Sequence, residues 1–447
     1  MARPQRLSGF PEWLPEGQVV EQLVVDTARE VFELNGFAGL RTRAVEPLEQ
    51  LVRKGEIDKE VYVLRRLHAE EGEPDAGLGL HFDLTVPFAR YVLEHAGHLE
   101  FPFKRYQIQS VWRGERPQEG RFREFTQADI DVVGRDTLPF HYEVEMALTM
   151  AALLDRLPIP PAIILVNNRK LAEGFYRGLG SEDPAAVLRV IDKIEKIGPD
   201  ATATLLVDDA GLTAAAAQAC IALAGIRSED ASFADRVHAL GVRNDLLDEG
   251  LEELVAVVDA ARSERPGTVV ADLRIARGLD YYTGTVYETE LVGYESVGSI
   301  ASGGRYDSLA SDGRQTYPGV GISLGVTRLV SILLGRGLVT VSRPVPSAVL
   351  VAVTDEGSRS ESLAVASALR ARGIACEVAP SAEKFGRQIK YADRRGIPFV
   401  WFPDVDGHSV KDIRSGDQQA ADPLTWEPPE DDRVPQVRSA DSQEARS

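Results

Sequence analysis

Cysteine is nearly missing from this chain. Only Cys220 and Cys376 occur in 447 residues, far apart and in no CxxC or Cys/His spacing. That excludes a disulfide framework and a thiolate metal cluster, and it fits a reducing compartment. Long apolar runs are missing too. No stretch is long enough to span a bilayer, and the opening MARPQRLSGFPEW has no signal-peptide core, so a cytoplasmic location without a membrane partner is expected. Positive charge is in deficit, with 50 Lys and Arg against 69 Asp and Glu and a net charge of −19. Indiscriminate binding to DNA needs a broad basic surface, so no DNA partner is expected, whereas a specific RNA met by local basic patches remains open. No repeat of fixed period points to a solenoid. What remains is 44% hydrophobic and 27% charged, a globular composition, in a chain long enough for two to four domains.

The first half divides into recognisable pieces. Residues 18–36 place Val20, Leu23, Val24, Thr27, Val31 and Leu34 on one helical face, stopped at Asn35-Gly36. FAGLRTRAVEP then reads as a strand ending at Pro47. In residues 77–95 a strand leads through Asp83-Leu84-Thr85 into a helix with Pro87 in its first turn. Thr85 is placed to cap that helix, while Asp83 suits either the junction or a ligand ammonium. RYQIQSVWR and EFTQADIDVV alternate as two strands around a basic turn. Phe125, Gln127, Asp129 and Asp131 share one face of the second strand. They form either the solvated face of a sheet or a ligand surface. Arg113, Arg116, Arg121 and Arg123 crowd the turn and favour a polyphosphate, because guanidinium forks bind phosphate oxygens in pairs.

Residues 169–262 are alanine-rich and helical, with few candidate catalytic groups, and read as an inserted domain. Strands return in RGLDYYTGTVYE (277–288) and ASGGRYDSL (301–309). The first reads as a tyrosine-capped hairpin or as a site where Arg277 and two phenols meet a small anion. Gly319, Gly321 and Gly325 allow close backbone packing before a helix that carries Arg328 at its start, where a cation has no favourable dipole. SRPVPS (342–347) is a proline-marked linker. Beyond it strands and helices alternate to about residue 426, which predicts a small α/β domain with a largely parallel sheet. The acidic, proline-containing residues 427–447 have little to bury and are expected to be disordered.

Taken together these pieces resemble the class II aminoacyl-tRNA synthetases, and among them the histidyl-tRNA synthetase family, over roughly residues 10–420. WRGE (112–115) and RFREFTQAD (121–129) resemble the class's second motif, GVGISLGVTRL (319–329) the third, and the helix–strand–Pro47 unit the first. RGLDYYTG and ASGGRYD resemble the family's two histidine-binding elements. The resemblance implies an α+β catalytic domain on a mixed, mostly antiparallel sheet with flanking helices, built from residues 1–168 and 263–341. A helical insertion (169–262) and a C-terminal α/β anticodon-binding domain (347–426) complete it. It implies activation of histidine with ATP and Mg²⁺, transfer to a histidine tRNA, and a homodimer. Arg113 and Arg121 would hold ATP phosphates, Glu115 would face the adenine edge, and Phe125 and Arg328 would stack on the ring. Asp83 and Thr85 would bind the histidine amino group, Gln127 would lie near its carboxylate, and Asp131, Tyr281, Tyr282 and Tyr306 would line the imidazole pocket. Arg277 would stand opposite Arg113 at the reacting phosphorus. No protein metal site is implied, since Mg²⁺ would arrive on the phosphates. The rival reading is a synthetase-like regulatory paralogue of histidine biosynthesis that does not charge tRNA.

Overall fold

The computed structural model describes residues 5–52, 60–67, 77–275, 282–311, 313–404 and 407–440. By contacts the chain divides into two units, one of residues 1–11 and 24–332 and another of 12–23 and 333–447.

The strands of the first unit are Ala38–Gly39 (β1), Val45–Pro47 (β2), Leu78–Leu80 (β3), Phe103–Trp112 (β4), Glu124–Val133 (β5), Ala162–Asn168 (β6), Arg227–Ser228 (β7), Val269–Asp272 (β8), Tyr282–Leu291 (β9), Ala301–Tyr306 (β10) and Gly319–Gly325 (β11). Nine of them form one sheet in the order β1-β4-β5-β11-β10-β9-β6-β8-β7. The pairings β1–β4 and β6–β8 are parallel and the others antiparallel. The mixed, mostly antiparallel sheet is therefore present. The strand expected across FAGLRTRAVEP is split, because β1 joins the large sheet and β2 pairs with β3. The insertion is helical as expected, yet β7 within it pairs with β8 and so adds an edge strand to the large sheet.

Alternation explains the central strands. In β4, Arg105, Gln107 and Gln109 point to one face, in register with Asp131, Asp129 and Gln127 of β5. On β11 the partners of those β5 residues are Gly321, Ser323 and Gly325. One face of three adjacent strands is thus polar, and the opposite face is apolar, with Ala128, Ile130 and Val132 fully buried. Behind β9 and β10, the buried Glu143 of the helix His141–Arg156 accepts from Thr285 N at 3.0 Å and pairs with Arg305 at 2.8 Å. Arg305, the arginine of ASGGRYD, is committed to that structural pair.

The second unit continues with Val339–Val341 (β12), Val349–Val351 (β13), Cys376–Val378 (β14), Phe399–Phe402 (β15), Ser409–Asp412 (β16), Gln418–Ala420 (β17) and Val437–Ser439 (β18). Five of these form a sheet ordered β14-β13-β15-β16-β17. Only β14-β13-β15 is parallel, and β16 and β17 extend it antiparallel. The expectation of a largely parallel sheet holds for half of it. It missed residues 409–420, whose polar sequence hides their strands.

The tail expected to be disordered at 427–447 is a clearer correction over residues 427–440, residues 441–447 lying outside the described residues. Residues 427–440 are ordered, with a helical turn at Glu430–Arg433 and β18 paired to β12. Polar contacts contribute to that order. Arg414 makes a paired contact with both oxygens of Asp432 at 2.8 Å each. The buried Arg343 donates to the Asp432 carbonyl at 3.0 Å. Arginines and ladder bonds supply what the missing apolar side chains do not.

Candidate active site

Two connected depressions lie on the polar face of the large sheet. The wider, of about 250 Å³, is lined by Arg113, Glu115, Arg121, Phe125, Gln127 and Arg328, with Ser302 and Ser323 at its floor. The narrower, of about 30 Å³, is lined by Thr85, Asp129, Asp131, Tyr282 and Tyr306, and shares Ser302 and Ser323 with the first. Strands β5, β9, β10 and β11 supply the floor, and the turn after β4, Thr85 and the helix carrying Arg328 supply the rest. Ten of the candidate residues are therefore gathered in one place. Asp83, the eleventh, stands beside them, while Arg277 and Tyr281 lie outside the described residues.

In the wider half, cations come from the turn after β4. Arg113 Nε donates to the Phe82 carbonyl at 3.0 Å, and its guanidinium lies 5.1 Å from the centre of the Phe125 ring. Glu115 bridges two arginines, at 3.7 Å from Arg113 and 3.5 Å from Arg121. The side chains of Arg113 and Arg121 are 32% and 49% exposed, so both can reorient toward a ligand. Burial and then the neighbouring Glu115 push the Glu60 carboxyl above its ordinary range, against the pull of Arg113 and Arg121. The turn is braced from the N-terminal segment, where the Gly9 carbonyl accepts from Arg123 N at 2.7 Å. Gly9 has φ +86°, and a Cβ there would fall 2.8 Å from Pro117. Across the cleft, Arg328 donates to the Val297 carbonyl.

The narrower half is built from carboxylates and phenols. Arg105, fully buried, pairs with Asp131 at 2.7 Å and lies 4.3 Å from the centre of the Phe88 ring. Tyr306 donates to the other Asp131 oxygen at 2.8 Å. Gly321 makes room for this arrangement, since a Cβ there would fall 2.3 Å from Asp131 Oδ1. Gln127 donates to Ser323 at 2.7 Å, and its Oε1 is buried with no hydrogen-bond partner among the described residues. Asp83, not Thr85, takes the helix amide, accepting from Val86 N at 3.1 Å. Thr85 is instead the first helical residue, with its side chain at the cavity. The cap was misassigned because Asp83, two residues before the helix's first residue, reaches that free amide. Arg105 and Asp129 were missed as site residues. Arg105 had no motif to mark it, but Asp129 shares the alternating row of Gln127 and Asp131 and was legible there.

An open antiparallel floor that joins an arginine-bearing cleft to a carboxylate-lined pocket is the architecture implied by the resemblance to class II aminoacyl-tRNA synthetases. Comparison with known proteins narrows this. The histidyl-tRNA synthetase family model matches residues 9–329, and an anticodon-binding domain model matches 347–406. Histidine–tRNA ligases of Cutibacterium acnes and Micrococcus luteus are 64% and 61% identical to it, each over 98% of this chain and 99% and 100% of their own lengths. The crystal structure of histidyl-tRNA synthetase from a Nostoc species superposes with a TM-score of 0.84 at 35% identity, covering 94% of this chain and 97% of that one. The chain belongs to the histidyl-tRNA synthetase family.

Proposed function

We propose that this protein is an ATP-dependent histidine–tRNA ligase, which activates L-histidine as its adenylate with release of pyrophosphate and transfers histidine to the 3′ end of its tRNA. The observation that carries this is a single sheet face on which a cleft with arginines at its rim runs into a pocket lined by buried carboxylates. Full-length relatives above 60% identity with that activity support it. They do not favour the regulatory paralogue, and neither does the anticodon-binding match at residues 347–406. A likeness to a structure described as an ATP phosphoribosyltransferase regulatory subunit/histidyl-tRNA synthetase, at 18% identity, concerns the fold.

In the first step a histidine carboxylate oxygen forms a bond to the α-phosphorus as the bond to the pyrophosphate oxygen breaks. The nucleophile is already ionised, so no general base is needed, and cationic stabilisation of the phosphoryl oxygens is what lowers the barrier. Arg113 and Arg121, held near the cleft by Glu115, fit that task, with Arg277 expected opposite. The Phe125 ring and the Arg328 guanidinium flank a space suited to a purine. Thr85 and Asp83 suit the amino group, and Gln127, with its amide at Ser323, suits the carboxylate end. Tyr282, Tyr306 and Asp131 suit the side chain, as does Tyr281 by its sequence position. Mg²⁺ on the phosphates would neutralise charge on the leaving group. Among the described residues no group of three or more His, Cys, Asp or Glu is placed to hold a metal. In the second step a terminal ribose hydroxyl attacks the adenylate carbonyl and AMP leaves.

Residues 347–426 are proposed to bind the anticodon, and the working unit is proposed to be a homodimer in the cytoplasm. No helix among the described residues is long and apolar enough to cross a membrane. Aminoacylation of histidine tRNA with labelled histidine tests the proposal. Charged tRNA is expected, and ATP-dependent adenylate formation without any charging would favour a function short of ligation.

A further inference from the structure

Residues 427–440 lie beyond both family-model matches, which end at residues 329 and 406, and the chemistry described above uses none of them. Several of their contacts nevertheless fall on one place, the chain just before and within the proline-marked connection at 342–347. β18 pairs antiparallel with β12, with Val437 opposite Val341 and Ser439 opposite Val339. The ladder runs on past both strands. Ser342 N donates to the Gln436 carbonyl at 2.9 Å, Gln436 N donates to the Ser342 hydroxyl at 2.9 Å, and Ala440 N donates to the Leu338 carbonyl at 2.9 Å.

Arg343 fastens the connection from inside. It is 2% exposed, and its guanidinium donates to the carbonyls of Val345 at 3.1 Å, Pro346 at 3.3 Å and Asp432 at 3.0 Å. Two of those acceptors belong to the connection and the third to the tail, so one buried cation turns the connection back on itself and ties it to residue 432. The same stretch is seated on the α/β domain. A Cβ on Gly396, which follows the helix Phe385–Arg394, would fall 2.9 Å from the Arg343 Cβ. The tail is anchored in turn where it leaves that domain. Arg414, just after β16, holds both Asp432 oxygens at 2.8 Å. The Trp426 ring packs edge-on against Phe399 and Trp401 of β15, with ring centres 5.4 and 5.7 Å apart.

Pro344 and Pro346 make the connection only semi-rigid by themselves, because the bonds between them stay free to turn. The tail supplies the rest of the constraint. We propose that residues 427–440 are a clasp that locks the connection between β12 and the α/β domain, and that tRNA charging depends on this clasp while adenylate formation does not. This rests on the reading of residues 347–426 as the anticodon-binding domain. A tRNA held at its anticodon by one domain and at its 3′ end by another is a bivalent ligand. Its second contact forms at an effective concentration set by the length and stiffness of the connection. A released connection spreads the anticodon-binding domain over many orientations and lowers that concentration. Histidine and ATP use only the large sheet on this reading, so their reaction does not sense the clasp.

The test compares the full-length wild-type protein, R438P and a chain ending at Val434. Proline at 438 has no amide for the ladder, and the shortened chain loses β18 but keeps Asp432 and Trp426. Hydrogen exchange reads the clasp first. Residues 338–342 should be protected in wild type and lose protection in both variants, while β13 at 349–351 keeps its own. The KM for histidine tRNA in charging should then rise roughly tenfold or more in both variants, with histidine-dependent ATP–pyrophosphate exchange within about twofold of wild type. A wild-type tRNA KM in a variant whose residues 338–342 have lost protection would overturn the proposal. So would unchanged protection at 338–342, or a loss of exchange as large as the loss of charging. If the shortened chain also exposes 349–351, R438P decides by the same readings. Exposure of 349–351 in both variants would mean that the tail holds the α/β domain together and not the connection, which also overturns the proposal. A wild-type protein that forms adenylate yet charges no tRNA would instead overturn the functional reading, so the two failures are distinguishable.

Discussion

On the proposed reading, the two halves of the cleft would meet their ligands by different physical means. In the wider half the cations sit on a turn, are a third to a half exposed, and are held by a carboxylate at long range. In the narrower half the charged groups sit on strands, are almost wholly buried, and are fixed by short bonds within the sheet. A polyphosphate can be met by mobile forks, because its charge is large and spread over many oxygens. An imidazole is small and carries one or two polar atoms, so discrimination needs groups whose positions are set before it arrives. On that proposal, affinity would be placed on the loop and selectivity on the sheet.

Three substitutions probe that contrast. The largest effect is expected for Arg105→Met, which leaves Asp131 buried without its cation. Loss of one partner from a buried pair costs about 3–5 kcal/mol, so thermal melting should fall sharply, together with histidine binding. Retention of the wild-type melting temperature would make the narrower half as tolerant as the wider one. Arg113→Ala should leave folding nearly unchanged, since the side chain is partly exposed, yet lower exchange by roughly 10²–10³-fold, the usual effect of removing one donor to a charged transition state. A rate within tenfold of wild type would remove Arg113 from the phosphate-binding role.

The smallest effect concerns stability without substrate. The folded protein holds the Asp129 proton to about pH 7, whereas an unfolded aspartate releases it near 3.9. Between those values the folded state binds more protons, so the contribution of Asp129 to stability is lost as the pH rises through about 7. D129N should therefore melt a few degrees above wild type at pH 8 and alike near pH 4. A gain of equal size at both values would mean that the carboxyl is not strained by burial.

Much of this was legible in the sequence, for identifiable reasons. β4 and β5 declare themselves by alternation, and the row Phe125, Gln127, Asp129, Asp131 follows from that period alone. The Asp131–Tyr306 bond was not legible, because it depends on the register of β10 on β11 and of β11 on β5, which no local pattern encodes. Arg105 was hidden for a related reason. A lone arginine inside a strand announces nothing until its neighbour across the ladder is known. Asp83 and Thr85 were placed correctly at the helix start, but which of them takes the free amide depends on a turn of the chain too fine for spacing to show. The tail misled because disorder was judged from apolar content, whereas arginine–carboxylate pairs and backbone bonds hold residues 427–440 in place.

The central claim is that this sheet face activates histidine in preference to other amino acids. ATP–pyrophosphate exchange measured with each of the twenty amino acids tests it most directly. The account predicts exchange with histidine and at most a trace with the others; no amino-acid-dependent exchange, or exchange of equal rate with a residue lacking the imidazole, would contradict it.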